Sequence, residues 1–240
     1  MIIINKPHIN FLVNSVKLQS HITDEKRKID DEIWFEAESC MKDSFDAETA
    51  DGFLISVLLP AVVTEQDIKV NAIVSEQLLY GINNYVLPIL TKAYHTVNMP
   101  KIIVNGTHNR TYQSTAVATG CSMGVDSCSS ILHHLSDICP PHFRISHLTL
   151  FNVGAMGSNC SRETELSFFK DLKMVERFAA KLSLPVVWVN SNLHALYSGF
   201  SFDASHTFRN MSVVLSMPRF FKKYFSFSLS WPFHHSAASR

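Results

Sequence analysis

The feature that most constrains this chain lies between residues 115 and 190, where apolar runs and amphipathic stretches alternate at regular lengths. Thr115–Thr119 is a short run of β-branched residues and alanine, the composition of a buried strand. Asp126–Ser136 reads as a helix with Ile131, Leu132 and Leu135 inward. Pro140-Pro141 breaks the chain, and Ile145–Val153 is a strong strand. Glu163–Ser183 carries Leu166, Phe169, Leu172, Val175, Phe178 and Leu182 at helical spacing, and Pro185–Asn190 is a third strand. Strands alternating with helices of these lengths imply right-handed crossovers and parallel neighbours. The expectation is an α/β fold, a parallel sheet with helices on both faces, whose ligand sits at the carboxyl ends of the strands.

The first hundred residues mix strand and helix signals. Glu32–Glu38 has strand composition, and Ala50–Val63 reads as a buried helix that Pro60 ends or kinks. Asp67–Val74 is a strand. Ser75 and Glu76 begin a helix to about Tyr94, with Leu78, Leu79, Ile82, Val86 and Leu90 along one face and Pro88 as a kink. Ile102–Val104 is a short strand, and the turn-rich segment Asn105–Thr111 is the best boundary. The chain therefore divides into a smaller mixed α+β accessory domain, 1–108, and an α/β domain, 109–240.

Composition narrows the function classes. Lys+Arg and Asp+Glu are equal at 21 each, so the basic excess expected of a nucleic-acid binder is missing. The charge is uneven, however. Eleven acidic residues lie between Asp24 and Asp51, while no acidic residue follows Asp203. The stretch after it holds Arg209, Arg219, Lys222, Lys223 and Arg240 among many aromatic residues, and its period-two Phe/Ser alternation suggests a strand at Tyr224–Leu229. The apolar start Met1–Ile4 is too short for a signal peptide, and Gly52–Val63 is about half a bilayer span. Five cysteines without a C-x-x-C motif fit reduced thiols and a cytoplasmic protein.

The first strand of the regular unit runs into Thr119-Gly120-Cys121-Ser122-Met123-Gly124-Val125-Asp126-Ser127, and a helix follows at once. A small-residue loop at a helix N-terminus turns backbone N–H groups towards one point, where the helix dipole favours a phosphate. Ser122 and Ser127 add hydroxyl donors. Asp126 needs a bridging Mg²⁺ to face phosphate, or else caps the helix. Ser122-Met123-Gly124-Val125-Asp126-Ser127 resembles the S-G-G-x-D-S signature of the PP-loop ATP pyrophosphatases, a superfamily that includes 7-cyano-7-deazaguanine synthase, asparagine synthetase and NAD synthetase. The resemblance implies the adenine nucleotide alpha-hydrolase-like fold over about residues 112–230, with ATP and Mg²⁺ as cofactors. It implies activation of a carboxylate or carbonyl-type oxygen as an adenylate, with release of pyrophosphate. It places Ser122, Met123, Gly124, Val125, Asp126 and Ser127 around the phosphates, with Asp126 on the Mg²⁺. Met123 departs from the family by replacing the first glycine of the pair. The family's catalytic domains commonly continue further than this chain, and Trp231–Arg240 shows no element pattern, as a truncated end would.

Other readings use the same residues. Gly120-Cys121-Ser122-Met123-Gly124 satisfies G-x-S-x-G, the nucleophile elbow of α/β-hydrolases, and Asp203 and His206 follow in triad order. A nucleotide-binding module without turnover is a third reading. Cys128, His133, His134, Cys139, His142 and His147 fall within twenty residues, but at no tight zinc spacing. Asn190-Ser191-Asn192 follows the third strand and belongs at the carboxyl edge. No catalytic residue and no acceptor substrate is legible. The accessory domain is free to cover the site or to form a homodimer contact.

Overall fold

The computed structural model describes residues 1–155 and 162–226. The chain folds as α/β around one mixed ten-stranded sheet, of order β10-β7-β8-β9-β4-β3-β1-β5-β6, with β2 paired to β3. Residues 1–108 supply β1 (Ile2–Ile4), β2 (His8–Phe11), β3 (Ser15–Asp24), β4 (Ile29–Glu38), β5 (Ile68–Ser75) and β6 (Ile102–His108). Residues beyond 108 supply β7 (Ala116–Gly120), β8 (His147–Asn152), β9 (Val186–Ser191) and β10 (Phe221–Phe225). Among the described residues, the strand expected at Tyr224–Leu229 begins three residues earlier, and Phe227–Leu229 lie outside them.

The expectation of a parallel sheet needs correction. β10-β7-β8-β9 are parallel as expected, and so are β1-β5-β6. Between these sets lie β3 and β4, a long hairpin paired from Ser15↔Glu38 to Asp24↔Ile29. Four turn residues join the two strands, too few for the crossover that a parallel pair demands, so they must be antiparallel. β4 is antiparallel to β9, and β3 to β1. The set β1-β5-β6 consequently runs opposite to β7–β10. The carboxyl ends of β7–β10 share a sheet edge with the amino ends of β1, β5 and β6.

Side chains of alternate parity build two cores, as strand geometry requires. On one face Ala118, Phe151, Val187 and Val189 pack with α1 (Asp51–Val63) and α6 (Phe202–Ser216). On the other, Val117 and Leu148 pack with Ile131 of α4 (Val125–Leu135) and with Val175 and Ala179 of α5 (Arg162–Lys181). Helices thus cover both faces of the β7–β9 unit. α1 is buried along nearly its whole length, and Pro60 sits in its last turn, three residues before it ends. Ser75 caps α2 (Glu76–Gly81) by accepting from Leu78 N. The chain then widens into a π turn at Ile82–Val86 before α3 (Leu87–Ala93). That widening falls where Pro88 would otherwise drive its ring into the carbonyl one turn back.

Candidate functional site

β7 is buried apart from its last residue, and Cys121 N still donates to Thr149 O (2.9 Å) beyond the end of the strand. The chain then turns outward. Ser122, Met123 and Gly124 are exposed, and Gly124 forms the N-cap of α4 in extended backbone with no capping side chain. Met123 occupies the left-handed region at φ 58°, the conformation that glycine tolerates best. Its thioether folds back to 3.7 Å from the Cys121 thiol.

The helix start is open. Cys128 N is the first amide of α4 bonded back to the chain, to Gly124 O at 3.0 Å. This leaves the amides of the first turn pointing out of the N-terminus. The Ser127 hydroxyl donates to Gly124 O (2.9 Å), and Ser122 Oγ lies 3.2 Å from Ser127 Oγ and 3.4 Å from Gly124 N. Ser122, Gly124, Ser127 and the first-turn amides therefore surround one small space. Asp126 stands exposed at the second helical position with no ion pair or hydrogen bond among the described residues. The alternative role for it, hydrogen-bonded capping, is not realised, because the cap position belongs to Gly124.

Strand order places this loop. From β7 the chain moves to β8 and β9 on one side, then returns to β10 on the other side of β7. Strand order reverses at β7/β10, and in open α/β sheets a crevice forms outside the carboxyl ends at such a reversal. The two strands are drawn together by Thr119 Oγ1, which donates to Phe225 O (2.9 Å). Tyr224 Oη lies 3.3 Å from Thr149 Oγ1, and burial pushes its phenol up to about 12. Any side chain at Gly120 would stand 3.2 Å from that hydroxyl.

The other residues singled out in the sequence fall into place differently. Asn190, Ser191 and Asn192 do reach the carboxyl edge, but they are buried and their polar groups are spent within the fold. Asn152 Nδ2 donates to Asn190 Oδ1, and Ser191 Oγ to Asn152 O. Asn192 bridges to the hairpin by accepting from Trp34 N and donating to Glu32 O. The triad residues do not assemble. Ser122 bonds to Ser127 and Gly124, whereas His206 Nδ1 meets the backbone carbonyl of Asp203 and Nε2 meets Thr207. The strained residue of the elbow is Met123, not the serine. Among the described residues no group of three His, Cys, Asp or Glu side chains could hold a metal ion. Of the histidine cluster, His134 stacks on Phe225 at 4.1 Å, and His147 packs edge-on to Phe220 at 5.0 Å with its pKa lowered by burial.

Two further features escaped sequence reasoning. A hollow of about 520 Å³ opens at the same sheet edge but beyond β3 and β4, lined by Met1, Gln66, Asp67, Met99 and Lys101 among others. Several of its polar groups are already engaged: Gln66 holds the Met1 amino group, and Asp67 accepts from Lys101 N. The second is Arg209 of α6, 4% exposed, whose guanidinium bonds to Val153 O at the end of β8 (2.9 Å). A buried arginine on a helix of modest amphipathicity gives no periodic signal, although Ser205 one turn earlier is a visible partner. Protein-family models, characterised proteins and solved structures offer no match to this chain.

Proposed function

We propose that this chain is an ATP-binding protein of the PP-loop kind, which holds the phosphates of ATP at residues 120–127. The observation that carries the proposal is the coincidence of an open helix N-terminus, paired serine hydroxyls and a reversal of strand order at a single loop. Each feature favours an anion at that place for a separate physical reason.

The donor set fits the group it would hold. Ser122 and Ser127 offer hydroxyls, Gly124 allows close approach, and the first-turn amides of α4 aim at the same space. Asp126 is a carboxylate with no partner among the described residues, and it would hold a hard divalent cation such as Mg²⁺. Bound Mg²⁺ would neutralise phosphate charge. With the β- and γ-phosphates so held, an acceptor oxygen attacks the α-phosphorus and the α–β bond breaks. Pyrophosphate leaves, and the acceptor keeps the adenylyl group. The acceptor is a small-molecule, base or peptide carbonyl or carboxylate. Met123, standing where the family has glycine, favours a second reading in which nucleotide is retained without turnover.

Two measurements separate these readings. MgATP should raise the melting temperature by mass action. An unchanged melting curve at millimolar MgATP, in folded protein, overturns the nucleotide proposal. Exchange of labelled pyrophosphate into ATP in the presence of candidate acids then marks turnover, and binding without exchange marks the retaining module.

A further inference from the structure

We infer that Arg209 is the receptor for an oxyanion, a carboxylate or a phosphate, at the carboxyl ends of β8 and β9. The inference does not rest on the nucleotide loop. Arg209 is 96% buried by the 4% exposure of its side chain and backbone together, yet it has no acidic partner among the described residues. Residues 156–161 read Met-Gly-Ser-Asn-Cys-Ser, and no residue after Asp203 is acidic, so those segments have no carboxylate side chain to offer.

Among the described residues the donors are also incompletely used. A guanidinium carries five N–H groups. Nε donates to Ser205 Oγ at 2.8 Å, and Nη1 donates to Val153 O at 2.9 Å. Tyr197 lies 4.3 Å from the guanidinium carbon by its ring centroid, and Phe202 lies 5.5 Å away. These rings stabilise a cation through their faces but accept none of the remaining N–H groups in the ordinary way. The Tyr197 hydroxyl is itself buried without a hydrogen-bond partner among the described residues. Uncompensated buried charge is costly, and a fold that keeps one commonly supplies its counter-charge from elsewhere.

The backbone is shaped around the fork. Gly154 follows β8 at φ 100°, and a Cβ there would stand 2.2 Å from Nη1. Glycine leaves the guanidinium room at the strand end, beside the edge where an open parallel sheet takes ligands. A planar fork prefers paired oxygens, which carboxylate and phosphate both present.

The test is a thermal-shift titration of the full chain with inorganic phosphate and, separately, with acetate, at constant ionic strength against chloride. The wild type should show a saturable rise with at least one anion, and the anion that acts at lower concentration names the source. Arg209→Gln should weaken that response at least tenfold, whereas Lys92→Gln, an exposed residue in the last turn of α3, should leave it unchanged. Equal responses in wild type and Arg209→Gln, or no wild-type response to either anion, overturn the inference and leave Arg209 as a packing residue. Should Arg209→Gln not fold, the guanidinium N–H resonances of the wild type decide. A saturable shift on adding the anion supports the site, and unmoved resonances overturn it.

Discussion

Met123 shows how much a single residue can say about a loop. A left-handed backbone costs an L-residue about 1–2 kcal/mol, and glycine escapes that cost while losing about 0.5–1 kcal/mol of entropy elsewhere. Met123→Gly should therefore leave stability unchanged or raise it by up to about 1 kcal/mol. Met123→Ile should lower it, since a β-branched side chain suits that conformation worst. Urea denaturation midpoints of the three proteins check the ranking. Asp126 makes the complementary prediction. Asp126→Asn removes an exposed charge near a helix start, worth about 0.3–1 kcal/mol to the fold. If the carboxylate serves Mg²⁺, calorimetric affinity for MgATP should fall at least about tenfold, roughly 1.4 kcal/mol. Equal affinities would reduce Asp126 to a favourable charge on a helix end.

At the scale of elements, the contact between α1 and α6 rests on Gly52. A Cβ built there would stand 2.4 Å from the Ser212 carbonyl and 1.9 Å from Ser216 Oγ. Because the Ser212 carbonyl is backbone and cannot swing aside, Gly52→Ala should cost about 3 kcal/mol, the upper range for overpacking, as read from thermal or urea unfolding. Sequence reasoning recovered the strand–loop–helix at β7–α4, the long helix α5 and the Ser75 cap, because each is written in local periodicity or local capping chemistry. It placed Leu132 inward and counted Leu166 in the apolar spacing of α5, whereas both are more than half exposed, and it passed over Phe168, which is fully buried. Helical spacing alone allows neighbouring stripes, and tertiary packing chooses between them. It also passed over α6, where buried serines and Arg209 dilute the apolar face. The strand β6 was shortened to Val104 because Asn105-Gly106 imitates a turn, yet pairing with β5 carries it to His108. The loop residues of the candidate site were legible; Arg209, whose meaning depends on the end of β8, was not.

At the scale of the whole molecule, two half-buried imidazoles make stability depend on pH. Burial lowers the pKa of His147 below 6.5, and burial followed by the nearby Arg209 charge does the same for His194. A histidine depressed in the folded state takes up its proton first in the unfolded chain. Stability contributed by these groups is therefore intact above pH 6.5 and declines as pH falls below it. Urea midpoints measured on either side of pH 6.5 should show that decline, and His147→Gln should remove part of it. A profile identical in the variant would mean that His147 keeps its ordinary proton affinity in the fold. The sheet itself carries a second consequence, and it is kinetic. β4 and β9 meet through only Phe35↔Ser191 and Glu36↔Asn190, residues more than 150 positions apart. Contacts of such separation pay loop-closure entropy before any return, so they form late. Until that pairing closes, the inner margins of β4 and β9 are unpaired strands, the kind of edge at which chains add to one another. The Asn192 side chain, which reaches across to Trp34 and Glu32, adds two hydrogen bonds to that short pairing once the strands have met.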